Sequence, residues 1–118
     1  MGHIHVDVVL RGARAARSVR MLADTSATYT IIPPELADEI GLVKLPFRTE
    51  VVLTDGQRTS VEAGVAELSV EGRRAPVTVL VMRVEEPLLG SESPEALGLK
   101  PNLETGRLEP ARRYAVRA

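Results

Sequence analysis

The alternation of apolar and polar residues predicts a β-hairpin at the start of the chain. Apolar side chains occupy every second position from Ile4 to Leu10, and a period of two is typical of a strand with one buried face. A turn at Arg11-Gly12 follows, and a return strand begins at about Ala16. This second strand closes with three apolar residues and then Asp24. The pattern therefore places a carboxylate at the end of an apolar strand.

Two short helices interrupt the strand pattern. The β-branched segment Thr30-Ile31-Ile32 predicts a short strand, and two prolines follow it. Proline is tolerated in the first turn of a helix, so Pro34 to Ile40 predicts a helix with Gly41 as its terminator. A second short helix is predicted from Pro94 to Leu97, closed by Gly98.

A second hairpin is predicted in the middle of the chain. Its first strand runs from Phe47 to Leu53, and the turn is Thr54-Asp55-Gly56-Gln57. The Asp-Gly pair favours a hairpin because both residues tolerate a positive φ. The return strand is marked by apolar residues at Val61, Val65 and Leu68.

The remaining pattern is also mainly β. A turn at Glu71-Gly72-Arg73 precedes a β-rich segment from Ala75 to Met82. Near the end of the chain, strand pieces are predicted at Arg107-Leu108 and at Tyr114-Ala115-Val116. Together these elements predict an all-β fold with one or two short helices.

The two helical regions resemble one another. The segment from Ile31 to Leu42 and the segment from Leu88 to Leu99 each contain an apolar strand end, a turn, and a short helix that ends in Gly-Leu. Two such halves predict a domain with pseudo-two-fold symmetry.

Length and composition narrow the class of protein. At 118 residues, the chain is expected to form a single domain over residues 1–118. Fifteen Lys and Arg residues against 16 Asp and Glu residues give a net charge of -1, which disfavours nucleic acid as a partner. The absence of cysteine excludes disulfides, thiol nucleophiles and cysteine-ligated zinc. No apolar run approaches the ~20 residues of a membrane span, so we expect a cytoplasmic protein with no membrane partner.

Asp24 is the first candidate for chemistry. A carboxylate that follows an apolar strand and precedes two hydroxyl residues would be partly desolvated and supplied with hydrogen-bond donors. The alternative is an aspartate that caps a turn. His3 and His5 have the spacing of a metal pair on one strand face, but further ligands are missing. We favour a solvated strand face there and expect no metal site.

Three motifs in a fixed order carry a family resemblance. They are Met21-Leu22-Ala23-Asp24-Thr25-Ser26-Ala27, the hairpin at Asp55-Gly56, and Leu88-Leu89-Gly90. In this order they resemble the retropepsin-like aspartic proteases, in particular the small single-lobe prokaryotic members. The resemblance covers nearly the whole chain and implies a closed acid-protease barrel with one lobe per chain.

The resemblance also implies roles for residues. Asp24 corresponds to the catalytic aspartate, and Thr25 to the residue whose hydroxyl braces the two active-site loops across the dimer axis. Leu88, Leu89 and Gly90 would support the active-site loop from beneath. The substrate-binding cleft and the flap would be formed by Ser26, Ala27, Thr28, Tyr29, Thr54, Asp55 and Gly56.

One position departs from the family pattern. Ser26 stands where the family usually has glycine. If the backbone there has an ordinary φ, serine is tolerated and adds at most a hydrogen bond or a narrower cleft. If substrate must approach closely, a Cβ atom would lower the activity.

The chemistry of the family requires a second carboxylate. Peptide hydrolysis without a metal or a nucleophilic side chain needs one carboxylate as general base and a protonated one as general acid. The sequence contains no second Asp-Thr/Ser-Gly-like triplet. We therefore expect a homodimer that brings two Asp24 residues together, with contacts from His3 to Val8 and from Tyr114 to Val116.

The predicted function is that of an aspartic endopeptidase acting on peptide or protein substrates, with no cofactor. The first alternative keeps the fold and the dimer but drops most or all of the activity, which leaves a peptide-binding or dimerisation module. The second alternative is an ordinary structural domain with a similar barrel.

Overall fold

The computed structural model describes residues 3–24 and 26–111, and over these residues it contains nine strands and two short helices. The strands are β1 (His3–Arg11), β2 (Ala16–Asp24), β3 (Thr30–Ile32), β4 (Val43–Val52), β5 (Arg58–Val70), β6 (Arg73–Val81), β7 (Leu88–Leu89), β8 (Leu99–Asn102) and β9 (Arg107–Pro110). The helices are α1 (Pro34–Ile40) and α2 (Glu92–Ala96). The predicted mostly β fold with two short helices is confirmed.

Seven of the strands form one sheet in the order β1-β2-β7-β3-β6-β5-β4. The first strand also pairs with β5, where Val9 to Arg11 lie opposite Glu67 to Ser69. This extra pairing curls the sheet back on itself, so the expected barrel is present but not strictly closed. Strands β8 and β9 form a separate two-stranded sheet.

The topology has the two-fold pattern that the sequence repeat predicts. The hairpin β1-β2 receives β7 parallel to β2, and the hairpin β5-β6 receives β3 parallel to β6. Strands β3 and β7 meet antiparallel between the two hairpins, and each of them leads into a helix. The two strands on either side of the Asp24 turn, β2 and β3, are therefore both paired with β7.

The main core lies between the curled faces of the sheet. The inward residues of β1, from Ile4 to Leu10, are buried as the alternation predicts. On β5 the buried face changes along the strand. Val61 packs in a second cluster, whereas Leu68 packs in the main core. Val65 lies after the change and is 37% exposed, although it is one of the apolar residues that mark this strand in the sequence.

Glycines determine where both helices end. Gly41 follows α1 with φ +68, and its N–H donates to the Asp38 carbonyl. Gly98 follows α2 with φ +70 and donates to the Glu95 carbonyl. Both terminators were predicted from sequence. Helix α2 starts at Glu92, two residues before the predicted start.

The start of β4 and the presence of β8 differ from the predictions. Strand β4 starts at Val43 instead of Phe47, and its register with β5 shifts between Lys44 and Arg48. A bulge of this kind breaks the period of two and hides the start of the strand. Strand β8 was not predicted. The predicted strand at Tyr114 to Val116 lies outside the described residues.

The Asn102 side chain organises the turn that joins β8 to β9. Its Oδ1 accepts hydrogen bonds from the backbone N–H groups of Glu104 and Thr105, and its Nδ2 donates to Glu109. A turn held by a side chain gives no hydrophobic signal.

In the described part of the chain, no helix is long and apolar enough to cross a membrane.

Candidate active site

Asp24 is the last residue of β2, and its side chain is half-buried. Strand β1 flanks it on one side, where His3 is the register partner of Asp24. Strand β7 flanks β2 on the other side, where Leu89 pairs with Ala23. Beyond Asp24 the chain turns, and the Ala27 N–H donates to the Asp24 carbonyl at 3.1 Å. The carboxylate therefore sits at the exit of a strand that is paired on both edges.

Ser26 donates two hydrogen bonds to the same oxygen of the Asp24 carboxylate. Its backbone N–H lies 3.0 Å from Oδ1, and its hydroxyl oxygen lies 2.6 Å from Oδ1. Serine at this position therefore adds a hydrogen bond to Asp24. Thr25, the predicted bracing residue, lies outside the described residues.

The segment that follows β7 is hydrogen-bonded to the Asp24 loop. The Ser91 N–H donates to the Ala27 carbonyl at 2.8 Å, and the Glu92 N–H donates to the Thr28 carbonyl at 3.0 Å. Leu88 pairs with Leu22 on β2 and with Ile31 on β3. The structure thus brings the predicted support segment into direct contact with the loop that carries Asp24.

Gly90 allows this close contact. A Cβ atom at Gly90 would lie 2.4 Å from the carbonyl carbon and oxygen of Tyr29 and 2.6 Å from the carbonyl carbon of Thr28. All three atoms belong to the backbone, which has little room to move. Glycine is therefore required here by close approach and not by a positive φ.

A buried pair of hydroxyl groups fixes the same junction. The Thr30 and Ser93 side-chain oxygens lie 2.6 Å apart, and Thr30 Oγ1 accepts a hydrogen bond from the Gly90 N–H at 3.3 Å. Neither side chain is more than 1% exposed. Neither Thr30 nor Ser93 was predicted from the sequence as a site residue. The sequence contained one indication of the pair. Thr30 precedes the apolar Ile31 and Ser93 precedes the apolar Pro94, and a hydroxyl that is buried beside apolar residues needs a hydrogen-bond partner.

A pocket of about 90 Å³ adjoins Asp24. It is lined by Ala23, Asp24, Leu89, Ser91, Pro94, Glu95, Leu99, Lys100 and Pro101. Most of these side chains are apolar, and the charged ones besides Asp24 are Glu95 and Lys100. Strand β8 contributes Leu99, Lys100 and Pro101. They were not predicted as site residues because the strand itself was not predicted.

The predicted cleft and flap residues lie on two different elements. Ala27 is half-buried, whereas Thr28 and Tyr29 are exposed beside Asp24 in the chain. Thr54, Asp55 and Gly56 form the exposed tip of the β4-β5 hairpin. Gly56 has φ +88. The tip therefore has the turn that the Asp-Gly pair predicts. Of the predicted site segments, the Asp24 loop and Leu88 to Gly90 are connected by hydrogen bonds and strand pairing.

A histidine–carboxylate contact and an arginine–carboxylate ion pair lie on the elements around the site. His5 Nε2 on β1 is 3.2 Å from Glu86 Oε2 in the segment before β7. Arg83, just after β6, lies 2.6 Å from Glu35 on α1. The hydrogen bond from Arg83 lowers the pKa of the Glu35 carboxyl. Both pairs are exposed, so each contributes little to stability.

The sequence matches a family model described as "gag-polyprotein putative aspartyl protease" over residues 11–93. The matched segment contains Asp24, the β4-β5 hairpin and Leu88 to Gly90. None of the curated proteins is similar enough in sequence to count as a match.

Solved structures with the same fold include a retroviral protease and a retroviral protease-like domain. One is EIAV protease in complex with the inhibitor HBY-793, with a TM-score of 0.67 and 17% identity over 86% of this chain and 93% of that chain. Another is the retroviral protease-like domain of Ddi1 from Leishmania major, with a TM-score of 0.66 and 15% identity over 97% of this chain and 92% of that chain. These similarities show a retropepsin-type fold.

We predict that Gly90→Ala lowers the free energy of unfolding by about 3 kcal/mol or more, because the new Cβ atom meets backbone atoms that cannot relax freely. Gly106→Asn is the matched control. A Cβ atom at Gly106 would have no neighbour within 4 Å, and asparagine tolerates the φ of +71 there. Urea denaturation should give a loss below about 1 kcal/mol for the control. Equal losses in the two variants would contradict the close-approach argument.

We predict that Thr30→Val lowers the free energy of unfolding by about 1 to 3 kcal/mol, because the Ser93 hydroxyl and the Gly90 N–H lose their partner in a buried site. Adding Ser93→Ala should recover part of this loss, since the double variant has one fewer unpaired group. A double-mutant cycle measured by urea denaturation checks the coupling. Additive effects of the two substitutions would show that the hydroxyl pair is not coupled.

Proposed function

The chain belongs to the gag-polyprotein aspartyl protease family, and we propose that it is an aspartic endopeptidase that works as a homodimer. The observation that carries the proposal is Asp24, half-buried at the end of β2, with its carboxylate held by Ser26 and its loop hydrogen-bonded to the segment after β7. Such an arrangement orients a carboxylate toward a reacting group and limits its contact with water.

The proposed dimer supplies the second carboxylate. The reaction needs a general base and a general acid at close range, and two carboxylates that share one proton provide both. One chain contains one family-type Asp motif. A two-fold axis beside Asp24 would bring an identical carboxylate to the same place, because a two-fold interface presents the same surface from both subunits. The shared proton then belongs to the pair of Asp24 residues.

In the proposed reaction, the ionised Asp24 accepts a proton from a water molecule while the water oxygen attacks the scissile carbonyl carbon. The partner's Asp24 donates its proton to the carbonyl oxygen, which gives a tetrahedral gem-diol. The first Asp24 then returns its proton to the amide nitrogen as the C–N bond breaks. One diol hydroxyl gives its proton back to the partner's Asp24 as the carboxyl product forms. The products are a free carboxyl group and a free amine, and no cofactor takes part.

The proposal assigns the remaining residues to positioning and binding. Thr25 braces the two Asp24 loops across the dimer axis, and Leu88 to Gly90 hold each loop from beneath. An extended peptide would lie along Ala27, Thr28 and Tyr29 and form main-chain hydrogen bonds, with its side chains in alternating pockets. The tip of the β4-β5 hairpin would close over the peptide, with Gly56 as a flexible point.

A second candidate function is a peptide-binding or dimerisation module with little activity. The observation that favours it is Ser26, whose side chain stands where the family usually has glycine. The Ser26 hydroxyl is hydrogen-bonded to the Asp24 carboxylate, so the serine does not by itself block the aspartate.

We predict that the wild-type protein cleaves members of a diverse peptide pool between about pH 4 and 7, where a dyad can hold one shared proton. Asp24→Asn removes the ionisable group and should lower the cleavage rate by at least about 10³-fold, the upper part of the range for acid–base groups. Mass spectrometry of the products measures the cuts and gives the sequence preference in the same data.

Glu95→Gln is the matched control for this experiment. Glu95 is the other carboxylate that lines the pocket beside Asp24, and the proposal gives it no part in proton transfer. This variant should retain cleavage. Loss of cleavage in Glu95→Gln to the level of Asp24→Asn would contradict a dyad made of two Asp24 residues. No cleavage by a folded wild-type dimer would favour the binding module instead.

A further inference from the structure

The Ser26 hydroxyl is turned toward the Asp24 carboxylate. We propose that Ser26 is a positioning residue, which stabilises the ionised form of Asp24 and moves the working pH range of the site toward acid. The predicted role of Ser26 was contact with substrate. This inference rests on the proposed function for its effect on cleavage, but its effect on the titration of Asp24 can be measured without cleavage.

The geometry identifies Ser26 as the donor in this contact. A hydroxyl has one proton to donate, and an ionised carboxylate can only accept. The separation of 2.6 Å between Ser26 Oγ and Asp24 Oδ1 lies in the range of charge-assisted O–H···O⁻ hydrogen bonds. A hydrogen bond of this type favours the charged form of the carboxyl group and lowers its pKa.

The contribution of the hydroxyl can be separated from that of the backbone. Ser26 donates to Asp24 Oδ1 through both its backbone N–H and its side chain. Any residue other than proline at position 26 keeps the N–H donor. Glycine, the usual family residue, therefore supplies one donor where serine supplies two, and a homodimer of this chain has two additional hydroxyl donors at its shared site.

Other charged groups near Asp24 are the same in every variant at position 26. Glu95 and Lys100, which carry opposite charges, line the same pocket. His3 is opposite Asp24 in the register of β1 and β2, and β7 contributes only Leu88 and Leu89. A difference in titration between wild type and a position-26 variant therefore reports on the hydroxyl.

Loss of the Ser26 hydroxyl is expected to shift the pH range of activity upward. The active dyad holds one proton, so its working range lies between its lower and its higher apparent pKa. Removing the hydroxyl makes the ionised form less favourable, and both apparent pKa values rise. We expect Ser26→Ala and Ser26→Gly to shift both limbs of the pH profile of kcat/KM upward by roughly one pH unit. Ser26→Thr keeps a hydroxyl and should leave both limbs within about 0.3 pH unit of wild type.

The experiment has two independent measurements. The first is the ¹³C NMR titration of the Asp24 carboxyl carbon in protein labelled at aspartate, with the signal assigned by its absence in Asp24→Asn. The second is the pH profile of peptide cleavage. Ser91→Ala is the control, because it removes a neighbouring hydroxyl from the same pocket and keeps the Ser91 N–H that bonds to Ala27. Its carboxyl titration should match that of wild type.

The outcomes separate this inference from the proposed function. A rise in the Asp24 pKa in both Ser26→Ala and Ser26→Gly, with none in Ser26→Thr or Ser91→Ala, supports the role of the hydroxyl even if no peptide is cleaved. An unchanged or lowered Asp24 pKa in folded Ser26→Ala and Ser26→Gly would overturn it. Equal rises in Ser26→Ala and Ser91→Ala would also overturn it, since the cause would then be a general change in the pocket.

Discussion

The pairing of β7 with both β2 and β3 is the constraint on which the rest of the site depends. A strand of only two residues, Leu88 and Leu89, joins the strand that enters the Asp24 turn to the strand that leaves it. The backbone that follows β7 then packs directly against the backbone of Tyr29, and only glycine at position 90 allows this contact. Because the loop is held at both ends and from beneath, its carboxylate is presented in one orientation. A substitution that destabilises this junction is therefore expected to disturb the geometry of the site as well.

Hydrophobic pattern and turn chemistry were sufficient to predict most of the fold. The first hairpin, α1 with its terminator Gly41, and the Asp55-Gly56 turn follow from local rules that the structure obeys. The pattern does not determine which side chains are buried where a distant element decides the burial. Val65 is exposed because β5 changes from one cluster to another, and a period of two contains no information about such a change.

The candidate site was only partly predictable for a similar reason. Asp24 and the Leu88-Leu89-Gly90 segment stand out in the sequence, because a carboxylate after an apolar strand is unusual and the ordered motifs resemble a known family. The Thr30–Ser93 contact joins residues 63 positions apart, and neither residue type is rare. The β8 side of the pocket was also missed, because Asn102 shapes the β8-β9 turn through side-chain hydrogen bonds that have no hydrophobic signal.

A working site is proposed to contain Asp24 from two chains. The most direct test is to mix wild-type and Asp24→Asn protein in equal amounts, allow the subunits to exchange, and measure peptide cleavage. If each site needs both carboxylates, only wild-type homodimers are active, and about one quarter of the activity of an all-wild-type sample at the same total concentration should remain. Retention of about one half would show that each chain acts independently, and it would contradict the shared site.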